Sequence, residues 1–301
     1  MENKAFEILL QNQKIEYKKA EPMCNHTSFK IGGPADYFIS VKTESELCFV
    51  LEHLKKIGMK YFILGKGSNI LVSDKGIEGA VICLSSMDKI TVEGETVTAL
   101  AGASLASVCV AAAENSLGGL EFAYGIPGCV GGALFMNAGA YGGEMSQVVV
   151  KAEFLTENGE KKSISLENMH LGYRNSIFRK ESMIITSVTF KLQKGEKSEI
   201  QAKMNDFMNR RKQKQPLEFP SAGSTFKRPE GHFAGALIEK NSLKGVSVGG
   251  AMVSEKHAGF VINYNRATSG DVKELMRLVQ KTVFETEGIM LEPEVIFVGK
   301  E

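Results

Sequence analysis

Four polar side chains stand among small or apolar neighbours: Arg174 after Tyr173, Ser224 after Ala222-Gly223, and Glu292 and Glu294 on either side of Pro293. A guanidinium is a permanent cation whose planar fork matches a carboxylate or phosphate. A hydroxyl both donates and accepts, and a protonated carboxyl donates. Together the four would form an acid- or anion-binding set. Each alone also reads as something plainer: an ion-paired arginine, a turn serine, solvent-facing carboxylates. The sequence leaves both readings open. No Ser–His–Asp or Cys–His arrangement declares itself, and the five histidines show no ligand spacing, so no metal site is expected.

The second chemical signal is glycine. Between Phe122 and Gly143 there is no charged residue, and seven positions are glycine. That is too poor in large apolar side chains for a membrane span and too rich in glycine for a core strand. Gly125-Ile-Pro-Gly128 predicts a tight turn, with Pro127 fixing φ and Gly128 free to go left-handed. Gly131-Gly132 opens an apolar run whose first amides could receive a polyanion. The alternative is a glycine-rich surface loop without a ligand. Earlier, Gly65-Lys-Gly-Ser-Asn69 lies between two expected strands. It lacks the third glycine and helix of a dinucleotide fingerprint and the GK[ST] of a P-loop. Alone it is a plain turn or a phosphate cradle; beside the second glycine stretch it suits a dinucleotide, which has two phosphates to hold.

A chain of 301 residues is long enough for two or three packed units, and a net charge of +1 argues against a general polyanion binder or a membrane-surface protein. Cys24, Cys48, Cys83, Cys109 and Cys129 are scattered, form no CxxC and fall partly in apolar runs, which suggests reduced core thiols of a cytosolic protein. The first residues lack the basic and apolar regions of a signal peptide, so a soluble, cytoplasmic protein is expected.

These residues need elements to position them. Residues 3–13 predict an amphipathic helix and 16–23 an extended connector. Thr43-Glu-Ser-Glu46 predicts a capping box opening a helix on Leu47, Val50, Leu51 and Leu54. Strands are expected at 37–41, 61–64, 70–72, 80–84, 90–92, 96–101, 148–155, 161–165 and 183–192, with a two-residue hairpin at Asn158-Gly159 and a helix from Ser104 to Asn115. The lack of βαβ regularity favours α+β over a doubly wound sheet. A charged turn at 194–199 marks a boundary. Beyond it come a helix ending in Arg210-Arg-Lys-Gln-Lys214, a turn at 221–229, a helix at 234–241, strands at 246–248 and 259–263, a helix on Val272, Leu275, Met276, Val279 and Val283, and a last strand at 291–298. The basic cluster has no interleaved aromatics, so a solvated helix end explains it better than nucleic-acid binding.

Seven stretches carry a resemblance. They are His26-Thr-Ser-Phe-Lys-Ile-Gly-Gly-Pro-Ala-Asp36, Leu64-Gly-Lys-Gly-Ser-Asn-Ile-Leu71, Gly125-Ile-Pro-Gly-Cys-Val-Gly-Gly132, Met136-Asn-Ala-Gly-Ala-Tyr-Gly142, Tyr173-Arg-Asn-Ser-Ile-Phe178, Pro220-Ser-Ala-Gly-Ser-Thr-Phe-Lys-Arg-Pro229 and Leu291-Glu-Pro-Glu-Val295. In this order, from about residue 25 to 298, the chain resembles the UDP-N-acetylenolpyruvoylglucosamine reductase family. The resemblance implies an FAD-binding domain of the vanillyl-alcohol-oxidase type, in two α+β subdomains over residues 1–197. It implies an α+β substrate-binding domain over 198–301, with the final strand, 294–298, free to return to the first. It further implies non-covalent FAD, NADPH as co-substrate, and a nucleotide-sugar substrate on the way to peptidoglycan. Nucleic acid, membrane and an obligate protein partner are not implied. Two departures stand out: Ile296 replaces a usual basic residue near Glu294, and residues 193–198 are short, as in the branch lacking a substrate-covering tyrosine loop.

The roles then follow from the resemblance. Gly65, Lys66, Gly67, Ser68 and Asn69, with Gly125, Ile126, Pro127, Gly128, Gly131 and Gly132, would hold the FAD diphosphate. Asn137, Gly139 and Tyr141 would approach the flavin or its ribityl chain. Arg174 would grip the substrate carboxylate beside Tyr173, Glu294 would assist there, and Ser224 would protonate C2, with Thr225 its rival. Lys214, Lys227 and Arg228 are candidates for the UDP diphosphate. Another flavin oxidoreductase on the same cofactor domain, or a nucleotide-sugar sensor retaining the fold, are the alternatives; flavin colour and NADPH bleaching separate them.

Overall fold

The computed structural model describes residues 2–301. Contacts divide the chain into two compact units that interleave along the sequence. The first takes the chain through Lys18, Phe38–Lys66 and Ala80–Arg210; the second takes Lys19–Tyr37, Gly67–Gly79 and Arg211–Glu301.

In the first unit, α1 (Glu2–Asn12) buries Phe6 and Leu10, four apart on one helix face. Helix α2 (Glu44–Lys56) buries Leu47, Val50, Leu51 and Leu54, the stripe its spacing predicts. Its cap differs from the expected box. Thr43 Oγ1 accepts the Glu46 N–H, but the Glu46 carboxylate accepts from Lys42 N–H at 2.7 Å, because the extended backbone at Thr43 leaves that earlier amide within reach. Helix α3 (Leu105–Glu114) starts at Ser104, whose hydroxyl accepts the Ser107 N–H. A five-stranded antiparallel sheet runs in the order Lys161–Ser165, Val149–Leu155, Ile184–Lys191, Thr96–Leu100, Ile90–Glu93. Its central strand is buried almost throughout, and the short helix α4 (Val130–Phe135) packs on it.

Three local expectations are corrected here. The Asn158-Gly159 hairpin is a three-residue loop: Thr156 N–H donates to Glu160 O, Gly159 N–H donates to Thr156 O, and Gly159 sits at φ 78. The glycine thus supplies the left-handed position after a turn, not the second half of a two-residue one. Residues expected as a connector form a strand, Glu16–Pro22, at the edge of a four-stranded sheet. An edge strand pairs on one side only, so its exposed, lysine-bearing sequence needs no apolar alternation. The expected charged turn holds a two-residue strand, Gln193–Lys194, paired with Leu117–Gly118, and α5 (Lys197–Lys214) follows directly.

The second unit is built on a three-stranded meander, Ser247–Val248, Ala251–Val253 and Val261–Asn263, with α6 (Ala234–Lys240) and α7 (Ser269–Glu287) packed into one apolar cluster. Helix α7 buries Val272, Leu275, Met276, Val279 and Val283 there, each worth roughly 1.5–3 kcal/mol against exposure. The expected strand at 291–298 is regular only over Ile296–Val298, which pairs in parallel with Ile70–Val72; Pro293 has no amide to donate to a ladder before it.

Helix α7 begins with a full capping box: Thr268 Oγ1 accepts the Asp271 N–H, and Asp271 Oδ2 accepts N–H from Thr268 at 2.9 Å and Gly250 at 3.1 Å. The Thr268 amide, then that of Gly250, holds the Asp271 carboxyl below the usual range. A depressed carboxylate stabilises the fold above its unfolded pKa and loses that contribution as pH falls through the folded value. Asp271→Asn is expected to cost about 1 kcal/mol at pH 7. In urea titrations the deficit should shrink as pH drops below about 4; a deficit that does not change with pH would show that the charge is irrelevant.

Candidate functional site

The glycine stretch of the first unit is fixed by its own amides. Gly128 N–H donates to Ile126 O at 2.8 Å, closing a three-residue turn on Pro127, and Gly128 O accepts from Leu105 N–H. Gly128 therefore has no need of the left-handed conformation open to it, and is not among the positive-φ residues. Val130 and Gly131 donate to Ala103 O and Ala101 O, and a Cβ on Gly131 would sit 2.9 Å from that of Ala101. The Gly132 N–H points at the Cys129 sulfur. Two of the expected anion-binding amides, those of Gly131 and Gly132, are thus already engaged within the protein.

Left-handed backbone falls instead on three non-glycine residues that the sequence singles out: Asn137 (φ 42), Tyr141 (φ 54) and Arg174 (φ 52). Such positions cost of order 1–3 kcal/mol and persist only when the surroundings over-determine them. Asn137 is 1% exposed; its Nδ2 donates to Gly172 O at 3.1 Å and its Oδ1 accepts from Ser146 N–H at 3.0 Å. Gly172 and Asn175 exchange both backbone hydrogen bonds, leaving Tyr173 and Arg174 as the two residues of a hairpin tip. Ser176 Oγ donates to Phe135 O at 2.7 Å on the other side. The end of α4 therefore pins both flanks of the Arg174 turn. The Arg174 guanidinium lies 5.1 Å from the Tyr173 ring centroid, and Arg179 donates to Arg174 O. Tyr141 and Gly142, both at positive φ, join Gly139–Ala140 to Gly143–Glu144. A Cβ on Gly139 would meet Gly143 O at 2.7 Å, and the Tyr141 ring stacks on Phe207 of α5 at 4.6 Å.

The Gly65-Lys-Gly-Ser-Asn69 loop shows two kinds of glycine. In the first unit a Cβ on Gly65 would lie 2.2 Å from Cys129 Sγ, a sulfur that also receives the Lys66 N–H. Burial pushes this thiol up, so it stays protonated. In the second unit Gly67 takes φ 59 and approaches His26 O, where a Cβ would lie 2.2 Å away. Among the described residues no protein acceptor takes the N–H groups of Gly67, Ser68 or Asn69. Consecutive unpartnered amides around a left-handed glycine make an anion nest, which suits a diphosphate. Asn69 also donates from Nδ2 to Glu294 O at 3.2 Å and accepts the Ile296 N–H at 3.0 Å.

That tie brings the second unit's candidates together. Glu294 N–H donates to Thr225 O and Lys227 N–H to Glu292 O, with Phe226 opposite Pro293. Ser224 and Glu294 therefore lie on neighbouring extended segments although 70 residues apart. Gly223, at φ 80, turns the chain before them. Ser224 is exposed, whereas Thr225 is 2% exposed with its hydroxyl accepting from Val261 N–H at 2.8 Å. The candidate cations differ in their company. Lys227 Nζ pairs with Glu292 at 2.9 Å, and the Arg228 guanidinium stacks 3.9 Å from the Phe233 ring centroid. Lys214, at the exposed end of α5, contributes with Lys244 to keeping the His257 imidazole below its ordinary pKa, although burial is the larger cause. His257 Nδ1 accepts from Gly259 N–H, so the neutral ring carries its proton on Nε2. Among the described residues no group of three or more acidic, histidine or cysteine side chains could hold a metal, and no helix is long and apolar enough to cross a membrane.

Residues 35–165 match the model of the FAD binding domain, and residues 215–298 that of the UDP-N-acetylenolpyruvoylglucosamine reductase C-terminal domain. The UDP-N-acetylenolpyruvoylglucosamine reductase of Clostridium perfringens (strain SM101 / Type A) is 51% identical over 280 residues, covering 93% of this chain and 92% of the relative. The chain belongs to the UDP-N-acetylenolpyruvoylglucosamine reductase family. The family enzyme of Clostridium novyi (strain NT) is 48% identical over 299 residues, 99% of this chain and 97% of its own. The crystal structure of the reductase from Thermus caldophilus superposes with a TM-score of 0.81 at 35% identity, over 94% of this chain and 98% of that one.

The family's FAD-binding match takes in residues 65–69 and the glycine stretch but stops short of Tyr173 and Arg174; its C-terminal match takes in Ser224, Lys227, Arg228 and Glu294 and begins one residue after Lys214. Sequence reasoning passed over Asn69 as a tether, His257, and Cys129 as a packing partner. A lone histidine or cysteine carries no spacing signal. Asn137 is the most exacting of these positions, because it supplies two buried hydrogen bonds from a left-handed backbone. Asn137→Ala is expected to lose about 2 kcal/mol or more in chemical denaturation. Asn137→Gly, which relieves the backbone but not the lost bonds, should recover only part; full recovery by glycine would mean the amide contacts contribute nothing.

Proposed function

We propose that this chain reduces the enolpyruvyl group of UDP-N-acetylglucosamine enolpyruvate to give UDP-N-acetylmuramate for peptidoglycan synthesis, with non-covalent FAD as cofactor and NADPH as reductant. The observation that carries this is collinear likeness to named reductases over nearly the whole of both chains. Residues 1–197 are assigned to the cofactor and 198–301 to the substrate, with the end of the expected 294–298 strand, Ile296–Val298, pairing with Ile70–Val72 of the earlier part. Such an enzyme consumes NADPH and a nucleotide sugar and so works in the cytoplasm on small molecules.

Bound FAD supplies a carrier for the hydride between NADPH and the substrate. The amides of residues 67–69 would receive its diphosphate, while residues 125–128, Gly139 and Tyr141 would line its length. Asn137 would act there through the backbone it fixes, since both ends of its side-chain amide are occupied.

The enolpyruvyl double bond is electron-rich, and only its conjugated carboxylate makes C3 an acceptor. Charge pushed from C2 into that carboxylate as the new C–H bond forms must be met by positive charge and hydrogen bonds. Arg174 suits this: its fork is bidentate, and its turn is held on both flanks. Glu294 can assist only as a protonated acid or an arginine partner, since a bare carboxylate would repel the substrate. Ser224 would deliver the proton to C2. A hydroxyl is a weak acid, but an enolate carbon is a strong base. The buried hydroxyl of Thr225 supports Ser224 over its neighbour. Lys214, Lys227 and Arg228, and separately Tyr173, would bind the nucleotide-sugar substrate.

Two measurements test these roles. Arg174→Lys keeps the charge and loses the fork, so turnover should fall about 10²-fold with flavin content normal; near wild-type turnover would leave Arg174 a structural residue. In anaerobic half-reactions, Ser224→Ala should leave NADPH-dependent bleaching of the flavin unchanged and slow its reoxidation by the enolpyruvyl substrate sharply, with Ser224→Cys recovering part. Equal slowing of both halves would assign the proton to another group.

A further inference from the structure

The Gly65–Lys66 peptide is gripped at both ends by side chains that the reaction does not use. Its carbonyl, Gly65 O, accepts from Ser85 Oγ at 3.2 Å, and Ser85 Oγ in turn accepts from Cys83 Sγ at 3.4 Å. Its amide, the Lys66 N–H, points at Cys129 Sγ, which also receives the Gly132 N–H from the first turn of α4. The sulfur fills the space where a Cβ of residue 65 would stand. Ser85 follows the strand Ile77–Cys83, and Leu84 N–H donates to Leu64 O at 2.9 Å, so the hydroxyl is carried on the strand paired with Tyr61–Leu64. Gly65 itself is absent from the positive-φ residues, so its lack of a side chain serves this close approach and not an unusual backbone.

A peptide that begins with a glycine rotates about its flanking bonds more readily than one between two side-chain-bearing residues. Rotation here would turn a carbonyl, instead of an amide, toward Cys129 and Gly132. The two side chains oppose this from opposite ends of one peptide plane. We infer that Ser85 and Cys129 are positioning residues for the cofactor: they lock the Gly65–Lys66 peptide against the start of α4, and with it the entry of the loop whose amides would receive the FAD diphosphate. The inference rests on the FAD assignment above.

The test is FAD affinity, measured by flavin fluorescence on protein freed of cofactor, with the melting temperature of the cofactor-free protein recorded beside it. Ser85→Ala and Cys129→Ala should each weaken FAD binding about tenfold, the effect of one lost hydrogen bond at a buried group. Cys129→Ser keeps an acceptor for both amides and should return affinity to within about threefold of wild type. The cofactor-free melting temperatures should stay within a few degrees of one another, since the clamp acts on one loop and not on the core. Wild-type affinity in both alanine variants would overturn the clamp, as would equal affinity of Cys129→Ser and Cys129→Ala. Should Cys129→Ala fail to fold, Ser85→Ala, at a half-buried hydroxyl, decides alone. Wild-type protein that binds no FAD would sink the cofactor assignment and the clamp together; wild type that binds, with variants that bind equally well, sinks only the clamp.

Discussion

The candidate site depends on where irregular backbone finds its hydrogen-bond partners. Glycine-rich loops carry as many N–H and C=O groups as a helix but no ladder to satisfy them, and a buried amide without a partner costs about as much as a lost hydrogen bond. In the first unit the answer is a set of buried acceptors and donors: Ala101 O and Ala103 O for Gly131 and Val130, the Cys129 sulfur for Lys66 and Gly132, and the Asn137 amide for Ser146 and Gly172. Once these are made, the Arg174 turn has little freedom left. Amides that remain without a partner among the described residues, as at 67–69, then stand out as places for a ligand.

The second unit solves the same problem with short antiparallel pairing between distant segments. Thr225 O accepts the Glu294 N–H and Lys227 N–H donates to Glu292 O, while Asn69 bonds Glu294 O and Ile296 N–H. Ser224 is left at the exposed end of this pairing and Thr225 at its buried face, because alternate residues of an extended chain point to opposite sides. Ile296 occupies a ladder position opposite Ile70. The short segment before α5 has no residues to spare for a covering loop, being used by the strand Gln193–Lys194 and the first helical turn.

Electrostatics refines this frame without setting it. The ion pairs of the second unit, Lys227–Glu292 among them, are partly exposed, where such pairs contribute at most about 1 kcal/mol. Their use is orientation. Lys227 carries a carboxylate partner on the extended segment bearing Glu294, Arg228 rests on an aromatic face, and Lys214 ends a helix whose carbonyls favour a cation. Three candidate cations are therefore not equivalent, although their side chains alone would suggest it.

The sequence by itself determined most of the regular elements and named the candidate site residues. Apolar spacing marked the buried faces of α2 and α7, and Ser104 and Thr43 marked helix starts, because those signals are local. It also held the motif order that tied the chain to its family, and the residues Arg174, Ser224 and Glu294. Tertiary structure decided which backbone positions became left-handed. Gly128 did not need to, whereas Asn137, Tyr141 and Arg174 did, since their φ values are imposed by contacts from residues far along the chain. The same holds for the cap of α2, the loop at Asn158-Gly159 and the edge strand Glu16–Pro22, where a neighbouring amide or strand outweighed the local preference. It holds above all for the glycines. Gly65 and Gly131 are small because a sulfur and an alanine stand against them, a reason that exists only once the chain has folded.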